Sequence, residues 1–167
     1  TSGVICAPLM GERLNELDIP LMVRENTESH RTAFTYSVDF IHGTSTGISA
    51  ADRAATIRAL TEPGTRPRDL ARPGHIFPLR YSPGGVLKRA GHTEAAVDLA
   101  RMAGLKPAGV LCEIVKDDGT MARVPDLVEF CREHGLLLIS SAQLIRYLRQ
   151  NEKLIRRIAE ARIPTSC

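Results

Sequence analysis

The chain has no tryptophan, and only 4% of its residues are aromatic. It therefore lacks a platform on which bases could stack, and its 22 basic residues are scattered among 19 acidic ones for a net charge of +3. Nucleic acid is excluded as an expected partner on both grounds. Long hydrophobic runs are also missing: none approaches the roughly 20 residues needed to cross a bilayer. The first residues show no basic stretch followed by an apolar signal core. A cytoplasmic protein without membrane association is expected. Four cysteines, Cys6, Cys112, Cys131 and Cys167, are too few and too dispersed for a disulfide scaffold or a zinc cluster. They are expected to be reduced, with Cys6 and Cys112 packed in apolar strands.

What remains is ordinary globular material: 167 residues, 43% hydrophobic and 25% charged, enough for one domain with a sizeable core. Strand and helix signals alternate along it. Val4 to Ala7 reads as a short strand and Glu12 to Leu17 as a short helix. Between Ala33 and Phe40, Phe34, Tyr36, Val38 and Phe40 alternate with polar residues, predicting a strand that buries those four. Ser49 with Asp52 opens a helix to about Leu60. Thr61 to Gly74, rich in proline, glycine and arginine, predicts a long surface loop. Val110 to Val115 and Leu136 to Ile139 read as buried strands, and Pro125 to His134 as a helix closed by Gly135. Ser140 with Gln143 caps a long helix whose apolar stripe is Leu144, Ile145, Leu148, Leu154, Ile155 and Ile158. Interleaved strands and helices of this kind indicate an α/β sandwich.

The densest chemistry lies in Arg89-Ala90-Gly91-His92-Thr93-Glu94. Thr93 reads as a helix N-cap, with Glu94 at the positive end of the helix and Gly104 at its close. Unpaired amides at a helix start, beside Arg89, make an anion site suited to phosphate, and His92 can hold a metal. An ordinary capped helix with one solvated arginine and one histidine accounts for the same residues.

Further motifs extend the pattern. His75-Ile76-Phe77-Pro78-Leu79-Arg80, Gly84-Gly85-Val86-Leu87, the Arg89 cluster and Lys106-Pro107-Ala108-Gly109-Val110-Leu111-Cys112-Glu113-Ile114 together closely resemble the 3,4-dihydroxy-2-butanone 4-phosphate synthase family. Asn26-Thr27, Thr32 to Thr35, Thr46 to Arg53 and Asp117 to Arg123 match it in the same order. The resemblance runs from about Gly3 to about Leu148. The tail Ala159 to Thr165 looks like the junction toward GTP cyclohydrolase II in bifunctional members. The expected organisation is a synthase domain over residues 1–150 and a helix end with that junction over 151–167. The family's acidic N-terminal turn, which supplies a carboxylate ligand to the metal, has no counterpart here. The chain is therefore expected to be an N-terminally incomplete domain with little turnover by itself.

The resemblance implies a three-layer α/β sandwich around a mixed, twisted sheet, usually as a homodimer. It implies conversion of D-ribulose 5-phosphate to 3,4-dihydroxy-2-butanone 4-phosphate and formate through enediolates stabilised by Mg2+ or Mn2+, a step of riboflavin biosynthesis. His92 corresponds to the metal-binding histidine. Arg89, Ala90, Gly91, His92 and Thr93 correspond to the phosphate grip, which Thr46 and Ser49 could extend. Glu113 corresponds to a carboxylate that contacts substrate and exchanges protons, and its flanks Leu111, Cys112, Ile114 and Val115 are expected to bury it and raise its pKa. His75, read as following a Pro-Gly turn, is implied in catalysis. Asp52 is better explained as a cap partner, and His30 lies in a polar loop that could close over substrate; Glu25 and Glu28 are not promoted to metal ligands. Two other readings share these residues: an inactive remnant that binds sugar phosphate or associates with a complete subunit, and a different carbohydrate-phosphate lyase or isomerase.

Overall fold

The computed structural model describes residues 3–151. Leu154, Ile155, Ile158, the junction segment and Cys167 lie outside them. Three strands form the sheet: β1 (Ile5–Leu9), β2 (Val38–Phe40) and β3 (Leu70–Arg80), with β3 in the middle. β1 runs parallel to β3, Cys6 opposite Phe77, and β2 runs antiparallel to it. This is the mixed α/β sheet expected. Six helices accompany it among the described residues: α1 (Gly11–Glu16), α2 (Ala50–Thr61), α3 (Gly85–Lys88), α4 (His92–Met102), α5 (Val124–His134) and α6 (Ser141–Asn151). No helix among these residues is long and apolar enough to cross a membrane.

The core forms where the apolar faces of β1, α1 and β3 meet: Ala7, Leu9, Leu14, Leu17, Ile19, Val38, Leu60, Leu70 and Ile76 are all buried. Leu144 and Leu148 of α6 pack separately on Val86. Three of the capping signals hold. Ser49 Oγ accepts from the Asp52 amide, Ser140 and Gln143 exchange hydrogen bonds, and Gly135 ends α5 in the left-handed conformation that glycine adopts without steric cost.

Several strand expectations fail. Only Val38–Phe40 of the 33–40 stretch is strand, and Tyr36 is 46% exposed while Thr35 is fully buried. The phase is inverted there because the Thr35 hydroxyl and amide both reach the Pro78 carbonyl, which draws the polar residue inward. The loop expected to run to Gly74 ends early, because β3 begins at Leu70. Residues 110–115 are not a buried strand: they meet β1 in an isolated bridge at Cys6–Leu111, and Val110 is 52% exposed. Leu136 to Ile139 form no strand among the described residues, and Leu137 is 95% exposed.

A bulge in β3 sets the position of one candidate residue. Val38 pairs with Ile76, but the next residue, Asp39, pairs with Ala71, so residues 72–75 of β3 bow outward. Pro73 offers no ladder donor, and Gly74 lies so close to the Val38 backbone that a Cβ could not be accommodated. Bulges of this kind re-aim a side chain. Here it is His75, which sits within β3 rather than after a turn.

Candidate active site

A cleft of about 690 Å³ is lined by Cys6, Glu28, His30, Thr32, Phe34, Leu79, Arg89, Ala90, Gly91, His92, Thr93, Leu111 and Glu113. Six residues expected from sequence meet in it: the five from Arg89 to Thr93, and Glu113. β1 supplies the floor at Cys6. Mutual hydrogen bonds between the Cys6 and Leu111 backbones, 2.9 and 2.8 Å, hold the 108–113 segment beside β1. Two residues past Leu111, this brings Glu113 to the rim.

The helix start differs in detail from expectation. Gly91, not Thr93, is the N-cap of α4, and no side chain caps it. Thr93 and Glu94 lie inside the first turn and are buried. With no side-chain acceptor at the cap, the first-turn amides are available to an anion. Glu94 is not a solvated end charge: its Oε2 accepts Arg89 Nη1 at 2.6 Å and its Oε1 accepts the Ser82 amide at 3.1 Å. Arg89 Nη2 reaches across to the His30 carbonyl at 3.1 Å and Thr32 Oγ1 at 3.4 Å. Sequence reasoning missed this strap. Spacing within a helix shows which residues share a face, but a bond between positions 59 and 57 residues apart leaves no periodic signal.

The loop that Arg89 touches is organised by Glu28, whose carboxylate accepts the amides of His30 and Thr32 and the Ser29 hydroxyl, each at 2.9 Å. Those bonds, the His30 amide foremost, hold its carboxyl down to about 2. A folded-state pKa below the unfolded one means that the stabilisation is complete above the usual carboxylate range and is lost as pH falls toward 2. The His30 and Thr32 amides are expected to stay protected from hydrogen exchange at pH 4 and to open as pH approaches 2. Glu28→Gln is expected to open them across the whole range. Protection in Glu28→Gln equal to that of the natural chain would refute the role.

Glu113 and Cys112 are exposed, which corrects the apolar enclosure expected for both. Cys6 is buried as expected, and burial first, then Glu113 and Cys112, pushes its thiol up to about 11. A thiol raised in this way stays protonated near neutrality. Asp52 is a loop anchor, accepting the Ser45 hydroxyl at 2.8 Å and the Gly47 amide at 3.0 Å. These bonds, Ser45 first, hold its carboxyl below the usual range.

His75 and Thr46 do not line the cleft. The bulge sets the His75 Nδ1 2.7 Å from Asp39 Oδ2, while its amide donates to Asp39 Oδ1 at 2.8 Å. Thr46 lies on the loop whose Gly47 packs on the same carboxylate, too close for any Cβ. An imidazole held by Nδ1 against a carboxylate presents Nε2 as its free basic atom. Two groups of expected residues thus stand apart, one in the cleft and one around Asp39.

Among the described residues no three His, Cys, Asp or Glu side chains converge as a metal site. His92 and Glu113 do border one cleft, an imidazole and a carboxylate that fit a hard cation able to take its remaining ligands from substrate oxygens and water.

The chain is similar to proteins of one kind. It is 61% identical to the riboflavin biosynthesis protein RibBA of Salinispora arenicola over 99% of its own length and 39% of that protein's. It thus spans about two fifths of that relative. It is 63% identical to a 3,4-dihydroxy-2-butanone 4-phosphate synthase of Agrobacterium fabrum, over 88% of this chain and 69% of that one. Its fold matches a solved 3,4-dihydroxy-2-butanone 4-phosphate synthase in complex with two magnesium ions, at a TM-score of 0.85 and 44% identity over 90% of this chain and 76% of that one. The model of that synthase family matches residues 1–147, a stretch containing both the cleft and the Asp39 group, so the chain belongs to the 3,4-dihydroxy-2-butanone 4-phosphate synthase family.

Proposed function

We propose that this chain takes D-ribulose 5-phosphate and releases formate and 3,4-dihydroxy-2-butanone 4-phosphate, a lyase step of riboflavin biosynthesis. One observation carries the reading: the uncapped start of α4 and Arg89 border the same cleft as Glu113. A phosphate at the helix start leaves the sugar lying toward Glu113, with amides and guanidinium binding the charged end and the carboxylate exchanging protons at the other. Phe34 and Leu79 give the cleft an apolar patch of lining. His92 would hold Mg2+ or Mn2+, the cation taking its other ligands from substrate oxygens and water; bound there it would supply positive charge against the enediolate oxygens. We propose residues 1–150 as the synthase domain and 151–167 as its connecting end. The described cysteines are free, which fits a reducing compartment such as the cytoplasm.

The Asp39 group suits a homodimer in which His75 and Thr46 of one protomer act at the cleft of the other. Purified protein supplied with magnesium and ribulose 5-phosphate is expected to release formate at a low but measurable rate. His75→Ala and Glu113→Gln are each expected to be inactive alone and to recover activity when mixed and allowed to exchange subunits. Absence of formate from the natural chain, with intact phosphate binding, would leave an inactive sugar-phosphate binder as the answer. Full activity of His75→Ala would remove His75 from catalysis.

A further inference from the structure

The first turn of α4 carries a charged group that the proposed chemistry does not use. Glu94 is 1% exposed, yet it is ion-paired to a residue of the cleft rather than facing the cleft itself. We propose that Glu94 is a positioning residue for anion binding: it holds the Arg89 guanidinium at the mouth of the cleft and thereby sets how tightly a sugar phosphate is held. The inference rests on the sugar-phosphate reading of the cleft.

Three observations support it independently. Arg89 Nη1 lies 2.6 Å from Glu94 Oε2, the short separation of a charge-assisted bond. Gly91 sits between them, and a Cβ there would run into both the guanidinium and the carboxylate, so the backbone leaves room for this pair and no other side chain. One turn further along α4, Asp98 repeats the device: it accepts the Tyr81 hydroxyl and the Val86 amide, each at 2.8 Å. With the Ser82 amide on Glu94, two buried carboxylates of α4 therefore fasten the 81–86 segment that leads into Arg89.

A free arginine has many rotamers, and fixing one on each binding event weakens the complex; a guanidinium already fixed avoids that loss. The opposing effect is repulsion between Glu94 and the phosphate. The cleft opens to water, which damps that repulsion, and Glu94 already accepts two hydrogen bonds. Positioning is therefore expected to dominate.

The test is Glu94→Gln in the full chain, read with inorganic phosphate by calorimetry, with ribulose 5-phosphate kinetics, and by the Arg89 Nε–Hε signal in NMR. Phosphate binding is expected to weaken about tenfold, as for loss of one charge-assisted contact, with KM rising in parallel and kcat nearly unchanged. The Arg89 signal should broaden, and the substitution should have no effect on phosphate binding in an Arg89→Ala background. Unchanged or tighter phosphate binding, or full additivity with Arg89→Ala, would overturn the proposal. If circular dichroism shows that Glu94→Gln does not fold, Glu94→Asp, which keeps the charge but withdraws it from Arg89, is measured the same way. If the natural chain neither binds phosphate nor releases formate, it is the sugar-phosphate reading that fails. The Arg89 signal then decides the positioning role: sharp in the natural chain and lost in the variant sustains it, and no change overturns it.

Discussion

Arg89→Ala is expected to lose substrate affinity and stability together. A charged hydrogen bond to phosphate contributes about 1.5–3 kcal/mol, so ribulose 5-phosphate binding should weaken roughly tenfold to a hundredfold, while unphosphorylated ribulose should lose little. The same change strands Glu94, 1% exposed, without its counter-ion. Leaving a buried carboxylate short of one partner costs about 1–3 kcal/mol, and the thermal midpoint should fall accordingly. Calorimetry with both sugars and a melting curve decide the matter. Equal losses for the two sugars would refute the phosphate role, and an unchanged midpoint would show that Glu94 is not held by Arg89.

The second large effect separates the two groups that border the cleft at its reacting end. His92→Ala is expected to impair divalent-cation affinity and turnover together. Glu113→Gln should leave most of the phosphate and cation affinity while slowing turnover by about 10²–10⁴, the usual contribution of a proton-transferring side chain. Metal titration beside single-turnover kinetics distinguishes them. Normal cation affinity in His92→Ala would end its ligand role, and single-turnover rates near normal in Glu113→Gln would end the proton-transfer role.

Much of the cleft was legible before any coordinates. Arg89 to Thr93 and Glu113 were picked out by residue type and motif, and the fold brings all six to one place. Caps were also legible, because Ser49 with Asp52 and Ser140 with Gln143 are local pairs whose hydrogen bonds depend on a few neighbouring dihedrals. What escaped was non-local. Glu94 looked like a helix-end charge because only the tertiary approach of Arg89 makes it a buried partner. His75 looked like a turn residue because Pro73-Gly74 signals a turn locally, whereas pairing with β1 and β2 imposes a bulged strand. Cys112 and Leu136 to Ile139 looked buried because apolar runs report a preference for burial. Whether a neighbour satisfies it is decided elsewhere, and among the described residues none pairs with 136–139.

β3 serves both groups of candidate residues through two separate registers. On one edge its residues 76–80 pair one for one with β1, which floors the cleft. On the other, the bulge at 72–75 separates that register from the one that carries Asp39. Within the bow, His75 is tied to Asp39 through both its amide and its Nδ1, so the imidazole is placed from the β2 side, while Cys6 keeps its place opposite Phe77. The strand thus carries two registers, and the candidate imidazole and the floor of the cleft are each set by a different neighbour of the same strand.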